Sequence, residues 1–160
     1  MRYHEYTNIT SLKENQIFVF GSNEAGIHGL GAALTARENF GAETGVGFGP
    51  TGQTYAIPTK DKNISTLDVP KIDHYVSMFI LYALQNPDKE FLVTRVGCGL
   101  AGYTDMIMSK MFVNAGENVI LPIEWKTSIE WIQQKVEEAK KDNSHWFIGM
   151  DYSVVDKTNM

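Results

Sequence analysis

The chain has 160 residues and a formal net charge of −5, from 14 Lys and Arg against 19 Asp and Glu, with 43% hydrophobic and 21% charged residues. That balance is near the globular average. It excludes a disordered chain, a transmembrane span and a basic surface able to track a phosphate backbone, so neither a membrane nor a nucleic-acid partner is expected. The length suits one domain over residues 1–160. One cysteine, Cys98, excludes an internal disulfide and suits a reducing, cytoplasmic setting, and residues 1–5 lack the apolar block of a secretory signal.

In chain order, residues 16–20 (Gln-Ile-Phe-Val-Phe) read as a buried strand stopped by Gly21. The glycine-rich stretch 21–31 reads as a loop, and residues 32–40 as a helix with Gly41 at its C-terminal cap. A second flexible segment, 45–52, leads into a strand at 54–58 that Pro58 should end, followed by a polar loop at 60–63. Apolar residues at helical spacing, with Asp68 as N-cap and Pro87 past the end, predict a helix over 70–86. A strand is expected at 91–96, a helix capped by Thr104, a strand at 119–122, and a helix at 129–141 capped by Thr127 or Ser128. Residues 146–155 hold enough aromatics to pack and are a candidate homo-oligomer contact. This alternation predicts an α/β fold with a mixed, largely parallel central sheet.

Nine of the 14 glycines fall between Gly21 and Gly52, and three more are Gly97, Gly99 and Gly102. Both clusters directly follow strands, so both can lie on the carboxyl edge of the sheet, where ligands bind. Such loops let backbone N–H groups converge on a phosphate or diphosphate. The spacing Gly26-x-x-Gly29-x-Gly31 is not the dinucleotide fingerprint, and no Gly-Lys-Ser/Thr exists for a Walker-type loop. The alternative is that the glycines serve only turns and close helix packing.

Phe20-Gly21-Ser22-Asn23, with the loop to Gly31 and the Ala32-Ala33 helix start, resembles the first loop of macro domains. Arg95-Val96-Gly97-Cys98-Gly99-Leu100 is similar to the phosphate loop of that superfamily's terminal ADP-ribose protein glycohydrolase branch, and Tyr55 to Lys60 resembles the strand between. The chain also resembles uncharacterised macro-like proteins of bacteria and phages. The resemblance spans residues 18–122 and implies a three-layer macro-like fold that binds ADP-ribose or a related nucleotide. Gly26, Gly29, Gly31 and the loop Gly97 to Gly102 would wrap the diphosphate and distal ribose, and Asn23 would hydrogen-bond the ribose. The branch cleaves ADP-ribosyl bonds with a lysine and an aspartate. Here Ala101 stands where that aspartate is expected, and Lys60 is offset by one position, with Thr59 in the aligned place.

Lys60 with Asp61 or Asp105 is the candidate catalytic set, against the reading that all three are solvated loop residues. His28 could contact the ribose or act as acid or base, or be a surface loop histidine. Cys98 could be a nucleophile beside backbone donors, or a small packed residue. Tyr103 and Phe48 are candidates for stacking on a base or ribose. His4, His74 and His145 share no ligand spacing with one another or with Cys98, so no metal is expected, and no cofactor is implied. Three functions stay open: a nucleotide-binding domain that hydrolyses an ADP-ribosyl linkage, a non-catalytic reader or sponge, and a Rossmann-like nucleotide N-glycosidase, for which Glu24 is the hint.

Overall fold

The computed structural model describes residues 1–142, so the expectation for residues 146–155 lies outside the described residues. In chain order the elements are β1 (Arg2–His4), β2 (Gln16–Asn23), α1 (Gly31–Asn39), β3 (Gly49–Thr51), β4 (Thr54–Lys60), α2 (Val69–Gln85), β5 (Glu90–Val93), α3 (Asp105–Lys110) and β6 (Val119–Pro122). A single 3-10 turn, Ile123–Trp125, then leads into α4 (Lys126–Asp142). The strands form one six-stranded sheet in the order β1-β6-β5-β2-β4-β3, parallel throughout except between β3 and β4. The fold is α/β with a mixed, mostly parallel sheet, as expected.

Both faces of the central strand are buried, which is why it reads as a continuous apolar run. Ile17 and Val19 point to a core shared with Ile72, Val76 and Phe79 of α2 and Met108 of α3. Phe18 and Phe20 point the other way, onto Ala36 of α1 and Phe40. Each buried Phe stabilises by about 1.5–3 kcal/mol relative to exposure, so strand β2 anchors both layers. Helix α2 starts as its sequence dictates: Asp68 accepts from the Lys71 N–H at 3.2 Å, and Pro70 lies in the first turn, where no intrahelical donor is needed.

Five expectations need correction. Strand β2 does not stop at Gly21: Gly21 and Ser22 pair with Ile57 and Pro58, and Asn23 pairs with Lys60 after a one-residue register shift, because pairing to β4 outweighs glycine's weak strand preference. Pro58 does not end β4, because β3 reaches only as far as Ala56, and beyond it the outer edge of β4 needs no donor. Residues 49–51, inside the segment read as flexible, form an edge strand that turns back through Gly52, whose φ of 55° suits a two-residue hairpin. β5 is shorter than the expected strand at 91–96: after Val93, the Thr94 Oγ1 donates to Val19 O at 2.8 Å and the chain leaves the sheet. Helix α4 needs no cap at Thr127 or Ser128, since it continues directly from the 3-10 turn.

Residues 1–129 form one compact unit, and a second begins at residue 130. The first holds the whole sheet. The described part of the second is the remainder of α4, with ion pairs Lys135 to Glu138 at 3.2 Å and Lys140 to Glu137 at 3.5 Å. Among the described residues no helix is long and apolar enough to cross a membrane.

Candidate ligand-binding cleft

The carboxyl ends of β5, β2 and β4 lie side by side, and over them opens a cleft of about 560 Å³. Its floor is Gly21, Ser22 and Asn23. One wall is the segment after β5, residues 94–101; the other is Thr59, Lys60 and Ile64; the loop from Ile27 and the start of α1 close the top. This is the carboxyl edge on which ligands bind in open α/β sheets.

Local hydrogen bonds fix the first loop. The Asn23 carboxamide both accepts from Ile27 N at 3.0 Å and donates to Ile27 O at 2.8 Å, and Ser22 Oγ donates to Gly47 O. Gly26 crosses residues 45 and 46 so closely that a Cβ would lie 2.4 Å from the Gly45 carbonyl carbon. His28 is 1% exposed, with its ring edge against Phe20 at 5.2 Å. Its Nε2 faces the carbonyls of Glu43 at 3.2 Å and Val46 at 3.1 Å, so Nε2 carries the proton, and Nδ1 is buried without a partner.

The second loop folds on itself. Cys98 N donates to Arg95 O at 3.1 Å, Gly102 N to Gly99 O at 3.0 Å, and Tyr103 N to Gly97 O at 2.9 Å. Gly97 has φ 78°, a conformation that strains any other residue, and a Cβ there would also press on the Met108 side chain at 2.6 Å. At Gly29 and Gly99 a Cβ would meet nothing within 4 Å.

Of the residues singled out from the sequence, the structure brings Gly21, Ser22, Asn23, Gly29 and Gly31 to the cleft from the first cluster. It adds Lys60, then Gly97, Cys98, Gly99, Leu100 and Ala101 from the second. Others fall outside the lining. Gly26 and His28 serve the crossing of loops beneath it, and Gly102 serves a turn. Tyr103 donates its hydroxyl to Leu67 O at 2.6 Å instead of facing a ligand, and Phe48 packs on Tyr75 at 5.1 Å. Asp61 is taken up by its own loop, accepting from Asn63 N at 2.8 Å and Ser65 N at 3.0 Å. Glu24 accepts from the Tyr75 hydroxyl and pairs with Lys71 at 3.2 Å; the Tyr75 bond, then Lys71, hold its carboxyl below the usual range.

Asp105 is turned to Arg95, which grips it through Nε at 3.0 Å and Nη2 at 2.7 Å, while the Trp125 indole donates to Oδ1 at 2.9 Å. These bonds, Arg95 first, hold the Asp105 carboxyl below its ordinary value. Burial, with the Asp105 carboxylate nearby, pushes the Cys98 thiol up to about 12, so it is protonated at neutral pH.

Sequence reasoning did not single out Arg95 or, of the aliphatic rim, Ile27, Leu30 and Ile64, whereas Leu100 was among the expected ligand-binding residues. Arg95 lines the cleft, as do Ile27, Leu30, Ile64 and Leu100, of which Leu30 is 69% and Leu100 75% exposed. The signal for Arg95 was its place near Gly97 in the segment that follows a strand, two residues past Val93. Lys60 and Arg95 are the cations of the lining, and among the described residues no Asp or Glu lines it, in a chain whose net charge is −5. At the start of α1, Leu30 gives no side-chain cap, which leaves the first N–H groups of the helix facing the cleft region. Among the described residues no group of His, Cys, Asp and Glu could hold a metal ion.

No family model, curated protein or solved structure matches this chain.

Proposed function

We propose that the cleft binds ADP-ribose or a related nucleotide through its diphosphate, and that it holds the ligand without cleaving it. The observation that carries this reading is the lining: glycine backbone on two loops, an uncapped helix start and two cations, with no carboxylate among the described residues. Asp105 offsets much of the Arg95 charge, so the anion-attracting field rests on Lys60, the backbone donors of the two loops and the helix start, with no carboxylate in the lining to oppose it. The volume of about 560 Å³ lies in the range of small-molecule sites. The exposed aliphatic rim offers apolar contact to the faces of a base or sugar. The macro-like resemblance of the two loops points to the same ligand class, and the free Cys98 thiol suits a cytoplasmic setting.

Glycosyl transfer to water needs a positioned acid, base or nucleophile at the anomeric carbon. Ala101 leaves the expected aspartate missing, Asp61 and Asp105 are bonded elsewhere, and the Cys98 thiol is protonated. Lys60 alone remains. The glycosidase reading loses its candidate as well, because Glu24 is held by Tyr75 and Lys71 and does not line the cleft. Incubation with ADP-ribosylated protein tests the reading: capture of the modified protein without release of ADP-ribose is expected. Release that disappears in Lys60→Ala would show an enzyme instead.

A further inference from the structure

Strand order places two cations on opposite sides of the central strand. β2 lies between β5 and β4, and the chain continuing from β5 carries Arg95 while β4 ends at Lys60. Arg95 follows the end of β5 by two residues, and two strand spacings separate β5 from β4 by roughly 10 Å, a span that two long side chains can close over a group resting on Gly21 and Ser22. Both residues line the cleft, and the Arg95 side chain is about half exposed.

The Arg95 guanidinium is fixed in place. Its Nε and Nη2 are paired to the two oxygens of Asp105, and that carboxylate is held in turn by the indole of the buried Trp125. Nη1 has no partner among the described residues, so one edge of a planar, oriented donor is left over at the cleft wall. The Lys60 ammonium likewise has no carboxylate partner among the described residues. A fixed fork on one wall and a mobile point charge on the other suit an anion with more than one charged centre.

We propose that Arg95 and Lys60 form a two-sided clasp for the diphosphate, so that the cleft selects ligands carrying linked phosphates over uncharged nucleosides. Arg95 is the selecting residue. Asp105 and Trp125 are positioning residues that orient it and do not touch the ligand. The clasp rests on the nucleotide reading above for the identity of the ligand, but not for the chemistry of the contact.

The test measures affinity for ADP-ribose, inorganic pyrophosphate and adenosine in wild type, Arg95→Met, Arg95→Lys and Lys60→Met, with the melting temperature of each. Arg95→Met is expected to weaken ADP-ribose and pyrophosphate binding about tenfold or more, the scale of a lost charge-assisted hydrogen bond, and to leave adenosine binding unchanged. Arg95→Lys should fall between, because it keeps the charge and loses the fork. Lys60→Met should act in the same direction, and the double variant should lose the product of the two factors. Equal affinity for the phosphate ligands in wild type and Arg95→Met, at unchanged melting temperature, overturns the clasp. If wild type ignores ADP-ribose but binds pyrophosphate in an Arg95-dependent way, the nucleotide reading fails and the clasp stands. Binding of neither anion overturns both.

Discussion

Arg95 holds Asp105 through two parallel hydrogen bonds, Nε to Oδ1 at 3.0 Å and Nη2 to Oδ2 at 2.7 Å, and so ties the cleft wall to the first turn of α3. The pair is partly exposed, so screening limits what it adds to stability. Its pH signature has a definite sign. The carboxyl is held below its unfolded value of about 3.9, so its contribution is fully present above that pH and is lost as pH falls through the folded value. Wild type should therefore lose stability on acidification below about pH 4 more steeply than Asp105→Asn, as read from melting temperature against pH. Parallel curves would show that the pair contributes nothing in solution.

Cys98 should be a poor nucleophile. With its thiol pushed up to about 12, alkylation by iodoacetamide at pH 8 should run far slower than for an unperturbed cysteine, whose value is about 8.5. A rate equal to that of a free cysteine in denaturant would mean the thiol is open and ionising.

The two glycines of the second loop should answer differently to substitution. Gly97→Ala forces a Cβ against Met108 at a φ of 78° and should cost about 1–3 kcal/mol. Gly99→Ala meets open space at an ordinary φ and should stay within about 0.5 kcal/mol of wild type. Chemical denaturation measures both. Gly99→Glu should fold equally well, yet place a carboxylate in a cleft that has none and abolish binding; retained affinity would put the phosphates elsewhere.

His28 should matter for stability through the two carbonyls it joins. His28→Ala leaves Glu43 O and Val46 O without their donor and is expected to cost about 1–3 kcal/mol in denaturant titration. An unchanged midpoint would show that those carbonyls find water.

Much of this was legible in the sequence because the signals were local. The buried run 16–20, the Asp68 and Thr104 caps and the strand 119–122 are where local pattern put them. So is the pairing of both glycine clusters with strand ends. What was hidden depended on partners distant in sequence. β1 is a polar tripeptide whose register against β6 alone makes it a strand. Gly21 is a strand residue because β4 is beside it. The glycines of 41–52 concern loop crossing and a hairpin: Gly52 approaches Gly41 O so closely that a Cβ would lie at 2.6 Å. His28 looked like a site residue because imidazole near a glycine loop suits catalysis, but burial against Phe20 decides its place. Arg95 falls inside the stretch 91–96 that reads as a strand, and only the strand order sets it opposite Lys60.

Isothermal titration of the protein with ADP-ribose, alongside Gly99→Glu, tests the central claim most directly. A saturable heat with one ligand per chain in wild type, absent in the variant at equal melting temperature, is expected. No heat and no rise in melting temperature at millimolar ADP-ribose would contradict it.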